Sequence, residues 1–131
     1  MASALYPKWV EALMQHTSNT NLSNANLKVA LIDTGTYTFN TAHDFYDDVS
    51  GVVGTPVALT TSRTYTNGVF DAADVTFTAV PSASVGAVII YIDTGTASTS
   101  PLVAYIDGIT LTSSGNDVLC KWNASGILKM V

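Results

Sequence analysis

The pentapeptide Ile-Asp-Thr-Gly-Thr occurs twice in the chain, at 32–36 and at 92–96. Each copy follows an apolar run, so both aspartates are expected where a strand ends and a turn begins. If Asp33 and Asp93 met in the fold, their carboxylates would share one proton, because like charges a few ångströms apart do not both ionise. The repeat therefore raises the question of an acid–base pair.

The repeated segment resembles the Asp-Thr-Gly loop of pepsin-like and retroviral aspartic proteases, in which two such loops meet at a pseudo-twofold axis. The resemblance implies that Asp33 and Asp93 form a protease dyad. That family places one loop in each of two lobes of similar size, and the copies here lie too close together for two full lobes. Asp-Thr-Gly also ends ordinary strands, because Asp caps the turn and Gly takes the left-handed conformation. We favour two similar strand-to-loop corners and predict no catalytic residues and no enzymatic activity.

The other reactive side chains form no recognisable catalytic or metal-binding pattern. His16 and His43 have no partners at ligand spacing, which argues against zinc. Cys120, the single cysteine, is expected to be a buried, unreactive thiol on the strand face of Val118 and Trp122. Several carboxylates could hold calcium but lack EF-hand spacing, so solvated turn residues are the favoured interpretation. These carboxylates are Asp44, Asp47, Asp48, Asp71 and Asp74. We predict no cofactor and no metal.

The most apolar run in the chain, 85–92, leads into the second corner and organises the predicted core. Its β-branched residues favour a central strand that is buried on both faces. A loop with Gly, Ser and Pro separates it from a second run, 102–107, which predicts a neighbouring antiparallel strand. A third strand, 27–33, is expected to end at the first corner.

Shorter strands and turn signals fill the rest of the chain and predict an antiparallel β-sandwich or barrel. Residues 50–56 contain two glycines and a proline, which predicts irregular structure, and Thr41 is a potential N-cap for a helical turn over 41–49. Asn67-Gly68 is the strongest hairpin signal. The remaining strand candidates are 57–59, 63–66, 75–80, 109–112, 118–123 and 126–131, the last two joined as a hairpin.

One short helix is predicted over 7–16, where Pro7 suits the first turn and one side is apolar. The apolar stripe consists of Trp9, Val10, Leu13 and Met14. This helix packs on a sheet face, or residues 1–16 form an arm that docks on a neighbouring subunit. For 127–131 we favour a strand within its own sheet. The candidate partner-binding residues are Leu5, Tyr6, Trp9, Met130 and Val131.

The composition limits the classes of partner. The 131 residues, predicted to form a single domain over 1–131, are 47% hydrophobic and only 11% charged, with a net charge of -5. The surface must therefore be rich in Thr, Ser and Asn, which suits packing against other subunits. Five basic residues cannot form a nucleic-acid-binding patch, and the acidic balance disfavours an anionic membrane. No signal peptide or membrane span is recognisable, which indicates folding in a cytoplasm.

Motifs over nearly the whole chain resemble, in order and spacing, a group of small virion structural proteins of tailed bacteriophages. The matching segments are 1–8, 27–34, 42–45, 68–79, 88–96 and 100–107. The resemblance implies a non-enzymatic virion component that is assembled in the host cytoplasm. A capsid decoration (cement) protein that stabilises the head lattice is the first expectation, and a tail- or fibre-associated structural or receptor-binding component is the alternative. The implied partners are the major capsid protein or other virion proteins, and sister chains in a homo-oligomer, for which a trimer fits.

A carbohydrate- or receptor-binding module of sandwich type is a separate hypothesis. Such a module would use exposed aromatic rings as stacking platforms. The candidates for this role are Tyr37, Phe39, Tyr46 and Tyr65.

Overall fold

The computed structural model describes residues 3–129 and has a mainly β fold with one short helix, α1, over Pro7–Met14. The strands are β1 (Ala4–Leu5), β2 (Leu27–Ile32), β3 (Val52–Ala58), β4 (Val69–Phe70), β5 (Val75–Phe77), β6 (Ala83–Ile92), β7 (Leu102–Ser113), β8 (Val118–Cys120) and β9 (Leu128–Lys129). Single 3₁₀ turns lie at Tyr46–Asp48, Thr66–Gly68 and Ala97–Thr99. The predicted fold class, antiparallel β with one N-terminal helix, is confirmed.

Five strands form the main sheet in the order β1-β7-β6-β2-β3, and every neighbouring pair is antiparallel. The predicted hairpin of the two apolar runs is present as β6 and β7. β7 continues to Ser113 because Gly108, with φ 86°, forms a bulge within the strand instead of ending it. Two small sheets, β4–β9 and β5–β8, complete the fold. Within residues 3–129 the strand order of the main sheet is linear, and the sheet does not close into a barrel.

Both faces of the main sheet are covered, which explains the apolar character of β6. On one face, Leu31 and Val88 pair across β2 and β6 and line an apolar cavity together with β8. On the other face, the ring of Tyr105 lies 6.1 Å from that of Tyr37 and 5.5 Å from that of Phe39. Since successive strand residues point to opposite faces, β6 is buried on both sides from Ala87 to its end. The prediction of a central buried strand is confirmed.

Helix α1 is part of the core of this chain. Pro7 occupies its first turn, and the chain leaves the helix at His16, whose φ is 56°. Trp9 is buried, and its indole N–H donates to the Thr20 carbonyl at 2.9 Å. Met14 was expected in the apolar stripe but is 81% exposed, because the helix ends there. The helix therefore contacts the core through Trp9, with Val10 and Leu13 packed beside it.

The strand candidate 63–66 is wrong, since it contributes a single bridge between Thr64 and Asp71. Three other local predictions are wrong for a tertiary reason. Residues 50–56 are mostly strand, because β3 lies at a sheet edge, where Gly54 and Pro56 are tolerated. The predicted C-terminal hairpin does not form, because β8 pairs with β5 and β9 pairs with β4. Thr41 does not cap a helix, since the only helical turn near it is Tyr46–Asp48.

Candidate interaction surface

The two repeated aspartates lie at opposite ends of β2 and cannot form a dyad. The register pairs Leu27 with Ile92 and Ile32 with Ala87, so Asp93 follows one end of the β2–β6 ladder and Asp33 the other. Six strand residues at roughly 3.3 Å each separate the two corners by roughly 20 Å. A shared proton requires carboxylates about 3 Å apart. The aspartic protease hypothesis is therefore wrong.

Each aspartate instead organises its own turn. The Asp33 carboxylate accepts the N–H of Gly35 at 2.8 Å, and the Asp93 carboxylate accepts the N–H of Gly95 at 2.8 Å. Both aspartates thus close a strand end through the same side-chain hydrogen bond. The backbone differs, because Gly95 has the expected left-handed φ, 90°, and Gly35 does not adopt a positive φ. The identical pentapeptides are thus two separate strand-to-loop corners that share the aspartate–glycine hydrogen bond, and the predicted left-handed glycine is present at the second corner alone.

The two corners differ in their electrostatic surroundings. The Nζ of Lys28 lies 2.8 Å from the Asp93 carboxylate, and both side chains are about one-third exposed. The hydrogen bond from Lys28, with that from the Gly95 N–H, lowers the pKa of Asp93. Within residues 3–129, Asp33 takes part in no comparable ion pair. The tertiary pairing of β2 with β6 therefore makes one copy of the repeat electrostatically distinct from the other.

Asp93→Asn should lower the free energy of unfolding by no more than about 1 kcal/mol at neutral pH, because a partly exposed ion pair is screened by solvent. The amide oxygen of Asn can still accept the Gly95 N–H, so the variant removes the charge alone. Because the pKa of Asp93 is lowered in the folded state, its stabilisation is present above the ordinary value of 3.8 and is lost as the pH falls below that value. Urea unfolding between about pH 3 and 7 measures this, with Asp33→Asn as the control. A pH-independent loss would contradict the ion-pair explanation.

An aromatic cluster joins the N-terminus to the segment after the first corner. The hydroxyl of Tyr6 lies 2.8 Å from that of Tyr37, which lies 2.7 Å from Nδ1 of His43. Burial raises the pKa of both Tyr6 and Tyr37, so both phenols stay protonated at neutral pH. The rings of Tyr6 and Phe39 are 4.9 Å apart. This hydrogen-bonded chain holds residues 37–43 on the sheet and satisfies polar atoms that would otherwise be buried without partners.

The predicted partner-binding residues have different positions in the structure. Tyr6 and Trp9 are buried in the core of this chain, so they do not form a free arm. Leu5 is half-buried in β1 and pairs with Ala104. Met130 and Val131 lie outside the described residues. Of the two interpretations of residues 1–16, packing on the sheet is the one observed for the described part, 3–16, and partner contact by Leu5 stays a prediction.

The predicted stacking aromatics are mostly engaged inside the chain. Tyr37 and Phe39 are buried. Tyr46 stacks on Tyr91 with centroids 4.0 Å apart and an interplanar angle of 7°. Tyr65 is 46% exposed, and its hydroxyl donates to the Leu22 carbonyl at 3.2 Å. Only one of the four candidate rings is exposed, and a single ring does not form the aromatic platform that the binding-module hypothesis requires.

The other candidate reactive groups are held in local structure. The Asp48 carboxylate accepts the backbone N–H of Asp44, which lowers the pKa of Asp48, and burial raises the pKa of Asp44. The Asp74 carboxylate accepts the backbone N–H of Trp122 at 3.0 Å. Across residues 3–129, no three His, Cys, Asp or Glu side chains lie together in a group that could hold a metal ion.

Cys120 is half-buried in β8 rather than fully buried. Burial, with a smaller contribution from Asp74, raises the pKa of its thiol to about 11. The reactive form of cysteine is the thiolate, which this shift disfavours at neutral pH. The geometry thus agrees with an unreactive thiol, although the side chain is less enclosed than the sequence suggested.

The exposed surface of the strands is unusual because it carries almost no charge. Only one exposed strand residue in the described part of the chain is charged, namely Lys129. The others are small, hydroxyl-bearing or apolar. They are Gly54, Thr55, Ala58, Thr76, Ser84, Gly108, Thr110, Thr112 and Leu119. Soluble sheets commonly carry charges at such positions, which limit edge-to-edge association. The sequence showed that charged residues are few. Only the structure shows that they are nearly absent from the exposed strand positions.

Comparison with protein-family models and with curated proteins gives no match to this chain. The resemblance to phage virion proteins therefore stays a prediction. In the part of the chain covered by the structure, no helix has the length and apolar character needed to cross a membrane.

Proposed function

We propose that this chain is a non-enzymatic structural protein of a tailed-bacteriophage virion, and that it acts as a capsid decoration protein on the head lattice. The observation that carries the proposal is the nearly uncharged, hydroxyl-rich surface of the strands. A decoration protein must bury area against neighbours at many equivalent positions. Hydroxyl groups can be buried at modest cost when they find hydrogen-bond partners, whereas unpaired charges cannot.

The reactive side chains are engaged in hydrogen bonds inside the fold or are held in an unreactive form, which supports the same proposal. Asp33 and Asp93 close separate turns, and His43 is hydrogen-bonded to Tyr37. The raised pKa of Cys120 disfavours nucleophilic chemistry. These groups contribute to folding, and the strand surface remains as the feature suited to association.

Quantitative mass spectrometry of virions, purified from infected cells that produce this chain, tests the proposal. A head decoration protein should be present at on the order of hundreds of copies per particle, because it follows the capsid lattice. The chain should stay with empty heads after the tails are removed. Its absence from purified particles would contradict a virion role altogether.

The exposed ring of Tyr65 favours the alternative, a tail- or fibre-associated component that contacts a receptor. The ring is backed by Phe70, with centroids 5.6 Å apart, and could stack on a ligand. In that case the copy number should be on the order of ten, as in a ring around the tail, and the chain should separate with the tails. The same measurement therefore distinguishes the two locations.

A further inference from the structure

The outer edge of β7 is covered along only part of its length. β1 pairs with Ala104 and Tyr105, and the Val103 carbonyl accepts the N–H of Tyr6 at 2.9 Å. The Ser3 hydroxyl accepts the N–H of Asp107 at 2.9 Å. From Gly108 to Ser113, no strand within residues 3–129 pairs with this edge. About half of a twelve-residue strand thus has one side left unpaired by the described residues.

The opposite edge of the sheet is protected in a way that β7 is not. In β3, Pro56 has no backbone N–H to donate, and Gly54 has a φ of 70°, which interrupts a regular extended strand. A register shift in the β2–β3 ladder distorts this edge further. From Ile109 to Ser113, β7 contains no proline, glycine or charged residue. The two edges therefore differ in the features that prevent strand addition.

The charge pattern around this edge is compatible with a second copy of the same chain. In an antiparallel pair about a twofold axis, each segment meets itself, so any charge on it would lie near a like charge. The nine residues between Asp107 and Asp117 carry no charge. With the axis at Leu111, Thr110 of one copy faces Thr112 of the other. Such a self-contact brings no like charges together along the paired segment.

Apolar side chains next to the edge add area to such a contact. Ile109 and Leu111 are half-buried, and with Leu119 they line an open cavity of about 420 Å³. Leu119 is 56% exposed, one of three large apolar side chains that the described surface leaves exposed. An exposed apolar residue beside an unprotected strand edge is a typical feature of an interaction site.

We propose that residues 108–113 pair antiparallel with the same segment of a second copy, which joins two main sheets across a twofold axis. The inference rests on the proposed assembly function and names the surface that makes the contact. Strand pairing supplies backbone hydrogen bonds, and the apolar residues beside the edge supply buried area.

Sedimentation equilibrium of the purified full chain tests the pairing. The wild type should form a dimer, and Thr110→Lys/Thr112→Lys should raise the dimer dissociation constant at least about tenfold, because each new lysine faces a lysine of the other copy. Thr64→Lys/Thr66→Lys is the matched control, with the same changes at two exposed positions two residues apart that do not line the cavity beside the β7 edge. The control should dimerise as the wild type does.

A charge-reversed variant tests the register of the contact. Thr110→Glu/Thr112→Glu alone should also dimerise at least about tenfold more weakly than the wild type, but an equal mixture with the lysine variant should form a mixed dimer. The proposal would be overturned by a monomeric wild type or by unchanged dimerisation of the lysine variant. A loss of monomer stability in the lysine variant would also overturn it, because the edge would then be covered by its own chain. If the purified chain is monomeric but is present in virions, the pairing alone is contradicted. If the purified chain dimerises but is absent from virions, the virion role alone is contradicted.

Discussion

Trp9→Ala should lower the free energy of unfolding by about 3–5 kcal/mol, because it removes a large buried side chain and leaves a cavity. The side chain is 2% exposed, and its N–H satisfies the Thr20 carbonyl. The loss is a large share of the total stability of about 5–15 kcal/mol expected for a domain. Urea unfolding followed by circular dichroism measures it.

Met14→Ala is the matched control, since Met14 lies in the same helix and is 81% exposed. Its effect should stay within about 0.5 kcal/mol. The contrast separates a helix that belongs to the core from an arm that reaches a neighbour. If Trp9→Ala and Met14→Ala had equally small effects on the isolated chain, the arm interpretation of residues 1–16 would be correct instead.

Ile89→Ala and Ile90→Ala should each destabilise the fold by about 2–5 kcal/mol, although the two residues are adjacent in sequence. Both are fully buried, one on each face of the central strand. Ile89 pairs with Ala30 and Tyr105, whereas Ile90 pairs with Val29 and Ala104. Their side chains contact different layers, so the losses should be nearly additive in the double variant. Chemical unfolding of the three variants measures both quantities.

Leu119→Ala is the control for this series, because it shortens an aliphatic side chain that is 56% exposed. Its effect on the isolated chain should be small. A small loss for either isoleucine would contradict burial on both faces of the sheet. A strongly non-additive double variant would mean that the two layers are coupled through the strand.

The local sequence pattern was sufficient for the elements whose signal lies within a few neighbouring residues. The run 85–92 contains almost only β-branched and apolar residues, and the structure has it as the central strand. The hairpin with 102–107 followed from the turn residues between the two runs. Pro7 and the apolar stripe located the start of the helix, and Asp-Thr-Gly located both strand-end corners.

Apart from that hairpin, the tertiary structure alone decided which elements meet. The strands β4, β5, β8 and β9 are two or three residues long, too short for their sequences to specify a partner, so the predicted C-terminal hairpin was replaced by pairings distant in sequence. The register of β2 against β6 separated Asp33 from Asp93 and brought Lys28 to Asp93 alone. The unpaired part of the β7 edge likewise exists because β1, two residues long, pairs with Ala104 and Tyr105 alone. Periodicity reports which residues of a strand are buried, whereas pairing and edges depend on distant segments that local sequence does not encode.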